Sequence, residues 1–321
     1  MADWSEEEEQ LFRDVGGEPM LLGLEGETEW NFGWFPVNPL IDPTFKPGSA
    51  RLFSSEAKSL KGSGEGKTVL LYEAAHEVMG RHLDSGPQAI GDCVGWAFAG
   101  AVDLLACAEI VAGEAEAYDW EGRASTEVIY ALSRREYGNA NRWIDGSAST
   151  WAVTAVRKGG TLSRRRVGAY DPDRARSWGR TGLPDDLEEE AAAHRVSKAA
   201  LVGSYAEARD ALANGYPIAV GSNVGFETVR DDEGYCLRKG KWSHCMKFTA
   251  VKDNERPALL CLNSWGEGSP SGPQGRYDIP PGSFWVDAET CDAMLKQKGG
   301  YSLAGFAGYQ LRTESFAAFT R

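Results

Sequence analysis

The feature that most constrains the fold is a dense apolar run from residue 93 to residue 112, interrupted only by Asp103 and Glu109. A helix at the surface carries a polar face, so a helix with this composition must be buried on most sides. Asp92, directly before the run, predicts an N-cap. The 321 residues suffice for one large domain or two modest ones around such a helix.

The segments after this helix fall into two groups. Helices are predicted at residues 124–138, 147–160 and 204–216, with a charged region of loops and short helices at 164–200. Short runs of β-branched and aromatic residues, bounded by turn residues, then predict strands at 217–224, 247–251, 258–265 and 282–287. Helices followed by strands predict an α+β protein with one helical lobe and one sheet-rich lobe.

The N-terminal part of the chain has a different composition. Residues 1 to about 66 contain an acidic run and then "WNFGWFPVNPLIDPTFKPGSA", rich in aromatic residues, proline and glycine. This predicts an irregular, extended arm that packs against the main body or a partner. We therefore predict an arm or extension at 1–80 and a domain at 81–321. Within that domain the helical lobe covers about 85–200 and the sheet lobe about 201–312.

Charge and hydropathy exclude several classes of function. The net charge of −13 argues against a nucleic-acid partner, which would need clustered cations. No run of 18 uncharged apolar residues is present, and the acidic N-terminus lacks the apolar core of a secretory signal. We therefore expect no membrane-spanning segment, no membrane partner, and a cytoplasmic or virion-associated protein.

The six cysteines contain no C-x-x-C pair, and a chain of this size without an export signal does not need disulfides. His76 and His82 are six residues apart, which is not the four-residue spacing of two metal ligands on one helical face. We expect no metal ion and no cofactor.

Three polar residues that could take part in catalysis interrupt the apolar pattern. Cys93 lies in the first turn of the buried helix, where the helix dipole favours a thiolate. His244 begins a strand, and Asn263 follows another. A thiol, an imidazole and an amide in this order are the parts of a cysteine-nucleophile site. Each residue alone also fits an ordinary structural role, and spacing does not show that the three converge.

The motifs around these residues resemble the papain-like cysteine peptidase family, in particular its bacterial and viral branch. "IGDCVGWAFA" is similar to the family's nucleophile segment, "SHCMKFTAV" to its histidine strand, and "LLCLNSWGEG" to its N-S-W-G turn. "GSFWVD" is similar to the aromatic strand that usually follows. The resemblance extends from about Gln88 to Leu295. It implies a helical lobe packed against a barrel-like antiparallel sheet lobe, with the site in the cleft between them.

The resemblance also implies roles for individual residues. Cys93 would be the nucleophile, His244 the general base and then acid, and Asn263 the residue that orients His244. Trp265 would shield their hydrogen bond. Gln88 would donate to the oxyanion beside the backbone N–H of Cys93.

Two departures from the family pattern bear on these assignments. Gln88 stands five residues before Cys93, where the family usually has six, which implies a shorter loop between the oxyanion donor and the nucleophile. An alternative register would place Gly95 at the nucleophile position and make the protein inactive.

The predicted function is a cysteine peptidase or amidase that forms a thioester acyl-enzyme on a peptide or protein substrate. One rival is a catalytically silent papain-like domain that serves as a structural or binding part of an assembly such as a virion, with its N-terminal arm bound to a protein partner. Another rival is a cell-wall amidase.

Overall fold

The computed structural model describes residues 4–22, 27–37, 50–57, 60–113 and 123–305. The predicted end of the sheet lobe near residue 312 lies outside this range. The helices are α1 Glu6–Asp14, α2 Phe53–Glu56, α3 Glu73–Met79, α4 Cys93–Val111, α5 Thr126–Arg135, α6 Ser149–Thr154, α7 Arg164–Val167, α8 Pro172–Thr181, α9 Asp185–Ala191, α10 Tyr205–Ala213 and α11 Ala288–Leu295. The strands are β1 Glu18–Leu22, β2 Glu27–Asn31, β3 Arg51–Leu52, β4 Thr68–Val69, β5 Lys198–Leu201, β6 Ile218–Phe226, β7 Arg238–Lys252, β8 Ala258–Leu262, β9 Ser283–Asp287 and β10 Gly300–Ala304.

Helix α4 is the centre of the molecule, as its composition predicted. It packs against α3 and α5 on the helical side and against β7 and β6 on the sheet side. Among the described residues it is the one helix long and apolar enough to cross a membrane, but 83% of its apolar window is buried within the protein. Its apolar character is therefore accounted for by its position in the core.

Strand β7 organises the sheet. Along one edge it pairs with β6 and then, at its end, with β4, both antiparallel. Along the other edge it pairs in parallel with β2 and then antiparallel with β8, which continues to β9. The helical region and this large, mainly antiparallel sheet confirm the predicted α+β class. We call the junction between the start of α4 and β7 the cleft.

The N-terminal segment is more regular than its composition predicted. Ser5 caps α1: its hydroxyl accepts from the backbone N–H of Glu8, while the Glu8 carboxylate accepts from the backbone N–H of Ser5. This reciprocal capping explains why an acidic run forms a helix. Phe12 of α1 is fully buried against Trp30 and Trp242, which joins the segment to the sheet.

Candidate active site

Cys93 is the first residue of α4 and has no exposed surface. Burial raises the pKa of its thiol well above the usual value, while the backbone N–H of Cys245 acts on the sulfur in the opposite direction. Cys245 directly follows His244 in β7. The contact with this N–H therefore brings the start of α4 to the part of β7 that carries the histidine.

Asp92 occupies the N-cap position of α4, but its side chain makes no capping hydrogen bond. Its carboxylate instead accepts a hydrogen bond of 2.8 Å from the Tyr170 hydroxyl. The predicted N-cap position is therefore confirmed, whereas the capping hydrogen bond expected from the Asp92 side chain is not formed. Burial raises the pKa of Asp92 to about 8, so a neutral carboxyl precedes Cys93 at neutral pH.

His244 and Asn263 form a buried pair. The Nε2 atom of His244 lies 2.8 Å from Oδ1 of Asn263, an oxygen that also accepts from the backbone N–H of Ser264. Because this oxygen can only accept, the imidazole must carry its proton on Nε2. Nδ1 of the same ring is buried and has no hydrogen-bond partner. Burial lowers the pKa of His244 to about 3, so the ring is neutral in this closed form and Nδ1 carries a lone pair.

Aromatic rings surround this pair. Trp265 stacks on the imidazole of His244 with ring centroids 5.2 Å apart and an interplanar angle of 25°. Phe32 approaches the same imidazole at 5.1 Å. Trp265 is itself only 5% exposed. The rings keep water away from the bond between His244 and Asn263, which strengthens it electrostatically.

Gln88 is held by the turn that contains Asn263. The hydroxyl of Ser264 donates to Oε1 of Gln88 at 2.6 Å, and the backbone N–H of Gln88 donates to the Ser264 carbonyl at 2.8 Å. With Oε1 occupied as an acceptor, the NH2 group must point the other way. It donates to the carbonyl of Ile90 at 3.0 Å and to the carbonyl of Phe32 at 3.3 Å. Ser264 was not singled out from the sequence, although its place in the N-S-W-G turn was the available signal.

Gly95, the alternative nucleophile position, lies elsewhere. A side chain there would meet the carbonyl of Thr126 and the Cβ of Tyr130, both on α5. Position 95 therefore faces the helical lobe. Cys93 is the residue of this segment that contacts β7 beside His244.

A segment of the chain itself crosses the cleft; we call residues 30–37 the strap. At its start, the N–H of Phe32 donates to the Ser243 carbonyl at 2.9 Å, next to His244. Further on, Ser147 of the helical lobe donates to the Gly33 carbonyl and accepts from the N–H of Phe35, both at 2.8 Å. The strap thus spans the two lobes, and its Phe32 contacts the buried His244 and accepts a hydrogen bond from the buried Gln88.

Position 33 of the strap requires glycine, because the strap lies there against the backbone just before α4. Gly33 has φ of 102° and lies against the backbone of Gly91, where any Cβ would overlap the Gly91 carbonyl. The sequence predicted an arm that packs on the main body or on a partner, but it did not predict that the arm runs through the cleft. The available signal was the aromatic stretch "WNFGWFP" itself.

No family model and no curated protein sequence matches the chain. Among solved structures, it is similar to xylellain, a cysteine protease from Xylella fastidiosa, with a TM-score of 0.56 and 16% identity over 85% of this chain and 95% of that one. The procathepsin B S9 of Trypanosoma congolense gives a TM-score of 0.51 and 11% identity, with 85% of each chain covered. The proform of the ragweed pollen cysteine protease Amb a 11 gives 0.50 and 15%, over 84% of this chain and 77% of that one. At these identities the likeness is one of fold, and the chain has the two-lobe fold of papain-like cysteine proteases.

Proposed function

We propose that the chain is a cysteine peptidase in which Cys93 is the nucleophile, His244 the base and Asn263 the orienting residue. The observation that carries this proposal is the state of the imidazole. Its Nε2 proton is fixed by Asn263, and its buried Nδ1 has no hydrogen-bond partner. His244 also directly precedes Cys245, whose backbone N–H contacts Cys93. An unpartnered buried acceptor is costly in a purely structural role.

The chemistry follows from these positions. Nδ1 of His244 takes the thiol proton, and the Cys93 sulfur attacks the carbonyl carbon of the substrate. Nε2 of Gln88 and the backbone N–H of Cys93 stabilise the negative oxygen of the tetrahedral intermediate. The amine leaves with the proton from His244, and a thioester remains on Cys93. A water molecule then attacks the thioester, His244 takes its proton and returns it to the sulfur, and the carboxylic acid is released.

The position of Phe32 supports Gln88 as the oxyanion donor. The Phe32 carbonyl accepts a hydrogen bond from Nε2 of Gln88 at 3.3 Å. A peptide carbonyl of the chain itself therefore occupies the position proposed for the reacting carbonyl of the substrate. Gln88 stands five residues before Cys93, and the hydrogen bond from Ser264 to its Oε1 supports the proposed direction of the NH2 group. The described form is latent, since the strap fills the cleft.

A rival proposal is a catalytically silent domain that serves as a structural or binding part of an assembly. It would explain a nucleophile with no exposed surface, but the strap, which contacts His244 through Phe32 and Gly91 through Gly33, covers this region within one chain. The three solved structures named above are cysteine proteases, which favours the peptidase.

The test is labelling with an epoxysuccinyl thiol reagent, read by peptide mass spectrometry, in full-length protein carrying Trp34→Ala to loosen the strap. We expect rapid modification at Cys93, lost in His244→Gln and retained in His76→Ala, which replaces an exposed histidine. Cleavage of a mixed peptide pool should follow the same order. Slow labelling of Cys93 that does not depend on His244 would reject the peptidase and favour the silent domain.

A further inference from the structure

The strap carries a large side chain into a pocket beside the candidate site. Trp34 is 2% exposed, and its indole N–H donates to Oγ of Ser149 at 3.0 Å. A Cβ at Gly221 would overlap the indole ring. A Cβ at Gly299 would overlap the Gly221 carbonyl oxygen and lie only 2.9 Å from Cζ2 of the indole. Two positions without side chains therefore make room for a ring of this size. We call the space bounded by Ser149, Gly221, Cys245 and Gly299 the indole pocket.

The pocket is within reach of any peptide that binds in the cleft. Trp34 lies two residues from Phe32, whose carbonyl receives the Gln88 hydrogen bond. Between them, Gly33 accepts from the backbone N–H of Ser147. A substrate whose reacting carbonyl lies at Gln88 can use the same backbone groups, and a side chain about two residues away then enters the pocket.

The polar group in the pocket discriminates between side chains. Ser149 is 2% exposed, and besides the indole its hydroxyl has the Cys245 sulfur as a neighbour, at 3.8 Å. Sulfur is a weak hydrogen-bond partner, so a leucine or phenylalanine in the pocket would leave the hydroxyl poorly satisfied. An indole N–H supplies the missing donor. Sites with a buried polar group reject analogues that lack its partner more strongly than sites that sense only size.

We propose that the indole pocket selects tryptophan in the peptide substrates of this protein, with Ser149 as the residue that distinguishes indole from phenyl and Gly221 as the residue that sets the size limit. This inference rests on the proposed peptidase function. The strap uses the same pocket to hold the cleft closed.

The test uses the full chain with Trp34→Ala and quenched-fluorescence peptides that carry Trp, Phe, Leu or Ala at each of three positions on either side of one scissile bond. At one position we expect kcat/KM for Trp to exceed that for Phe by about fivefold, the worth of one net hydrogen bond. Ser149→Ala should bring this ratio to about one, with a lower kcat/KM for the Trp peptide and a higher kcat/KM for the Phe and Leu peptides, because no unsatisfied hydroxyl then remains in the pocket. A Trp:Phe ratio near one before that substitution would overturn the inference.

Gly221→Ala tests the size limit. We expect cleavage of Trp peptides to be lost while Leu peptides are still cleaved, because the added methyl group occupies the place of the ring. Gly203→Ala is the matched control, since a Cβ there meets only the Glu207 carboxylate at 3.6 Å. Equal cleavage of Trp peptides in the two variants would contradict the assignment of Gly221.

Binding separates failure of the pocket from failure of the proposed function. A synthetic peptide of residues 29–37 and its Trp34→Phe and Trp34→Leu forms are titrated into the Trp34→Ala protein, with fluorescence anisotropy as the readout. Preferential binding of the tryptophan form without any peptide cleavage would support the pocket and reject the peptidase. Equal binding of the three peptides would reject the pocket, whatever the catalytic result.

Discussion

Removing the Trp34 side chain should convert the closed cleft into a reactive one. In the closed form the proposed nucleophile and base are both without exposed surface, and Trp34 is a buried strap side chain that is bound to Ser149 of the helical lobe. The substitution Trp34→Ala removes the indole and its hydrogen bond to Ser149. It leaves every proposed catalytic residue unchanged.

The magnitude follows from the burial of this side chain. Replacing a buried tryptophan by alanine costs about 3–5 kcal/mol. If that cost falls mainly on docking of the strap, the open population rises by about a hundredfold or more, since each 1.4 kcal/mol is a factor of ten. Opening also restores water around His244, so its pKa should rise from about 3 towards its ordinary value and allow an ion pair with Cys93.

The assay is the rate of alkylation of Cys93 at pH 7, measured by peptide mass spectrometry. Trp143→Ala is the matched control, because that tryptophan is 80% exposed. The buried thiols of Cys107 and Cys261 report global unfolding, since they react only if the core opens. An increase of less than about threefold in the alkylation rate of Cys93, or equal labelling of Cys93, Cys107 and Cys261, would refute the idea that the strap closes the site.

Three further predictions concern single contacts. Asn263→Ala frees the His244 imidazole to rotate, so kcat in the Trp34→Ala background should fall at least tenfold, with KM changed little; an unchanged kcat would remove Asn263 from the site. Ser264→Ala lets the Gln88 amide turn over, and we expect slower peptide hydrolysis while the rate of thiol alkylation, which needs no oxyanion donor, stays the same. Burial raises the pKa of Asp92 to about 8, against about 3.9 in an unfolded chain. The contribution of the neutral Asp92 carboxyl to stability is therefore full below pH 4 and is lost as the pH rises through 8. The free energy of unfolding falls by about 1.4 kcal/mol per pH unit in this window. In urea titrations Asp92→Asn should weaken the loss of stability between pH 5 and pH 8, and parallel curves for the two proteins would contradict the raised pKa.

Local sequence determined the elements around the site. The apolar run of residues 93–112 became the central helix α4, because a helix without a polar face has to be enclosed. The β-branched runs became strands β6 to β9, and the N-S-W-G motif placed Asn263 directly after β8. These features depend on neighbours within a few residues, so they can be recognised in a single chain.

The tertiary structure decided which partners these residues meet. Asp92 was predicted to cap α4, but its carboxylate turns to Tyr170, 78 residues away in sequence. The orientation of Gln88 depends on Ser264, which is 176 residues away. The indole N–H of Trp34 donates to Ser149, which is 115 residues away in sequence. Contacts of this kind form only when the lobes come together, and no local periodicity encodes them. The sequence therefore determined the chemical groups of the proposed catalytic site, whereas only the packing of the strap between the two lobes decided that this site lies closed.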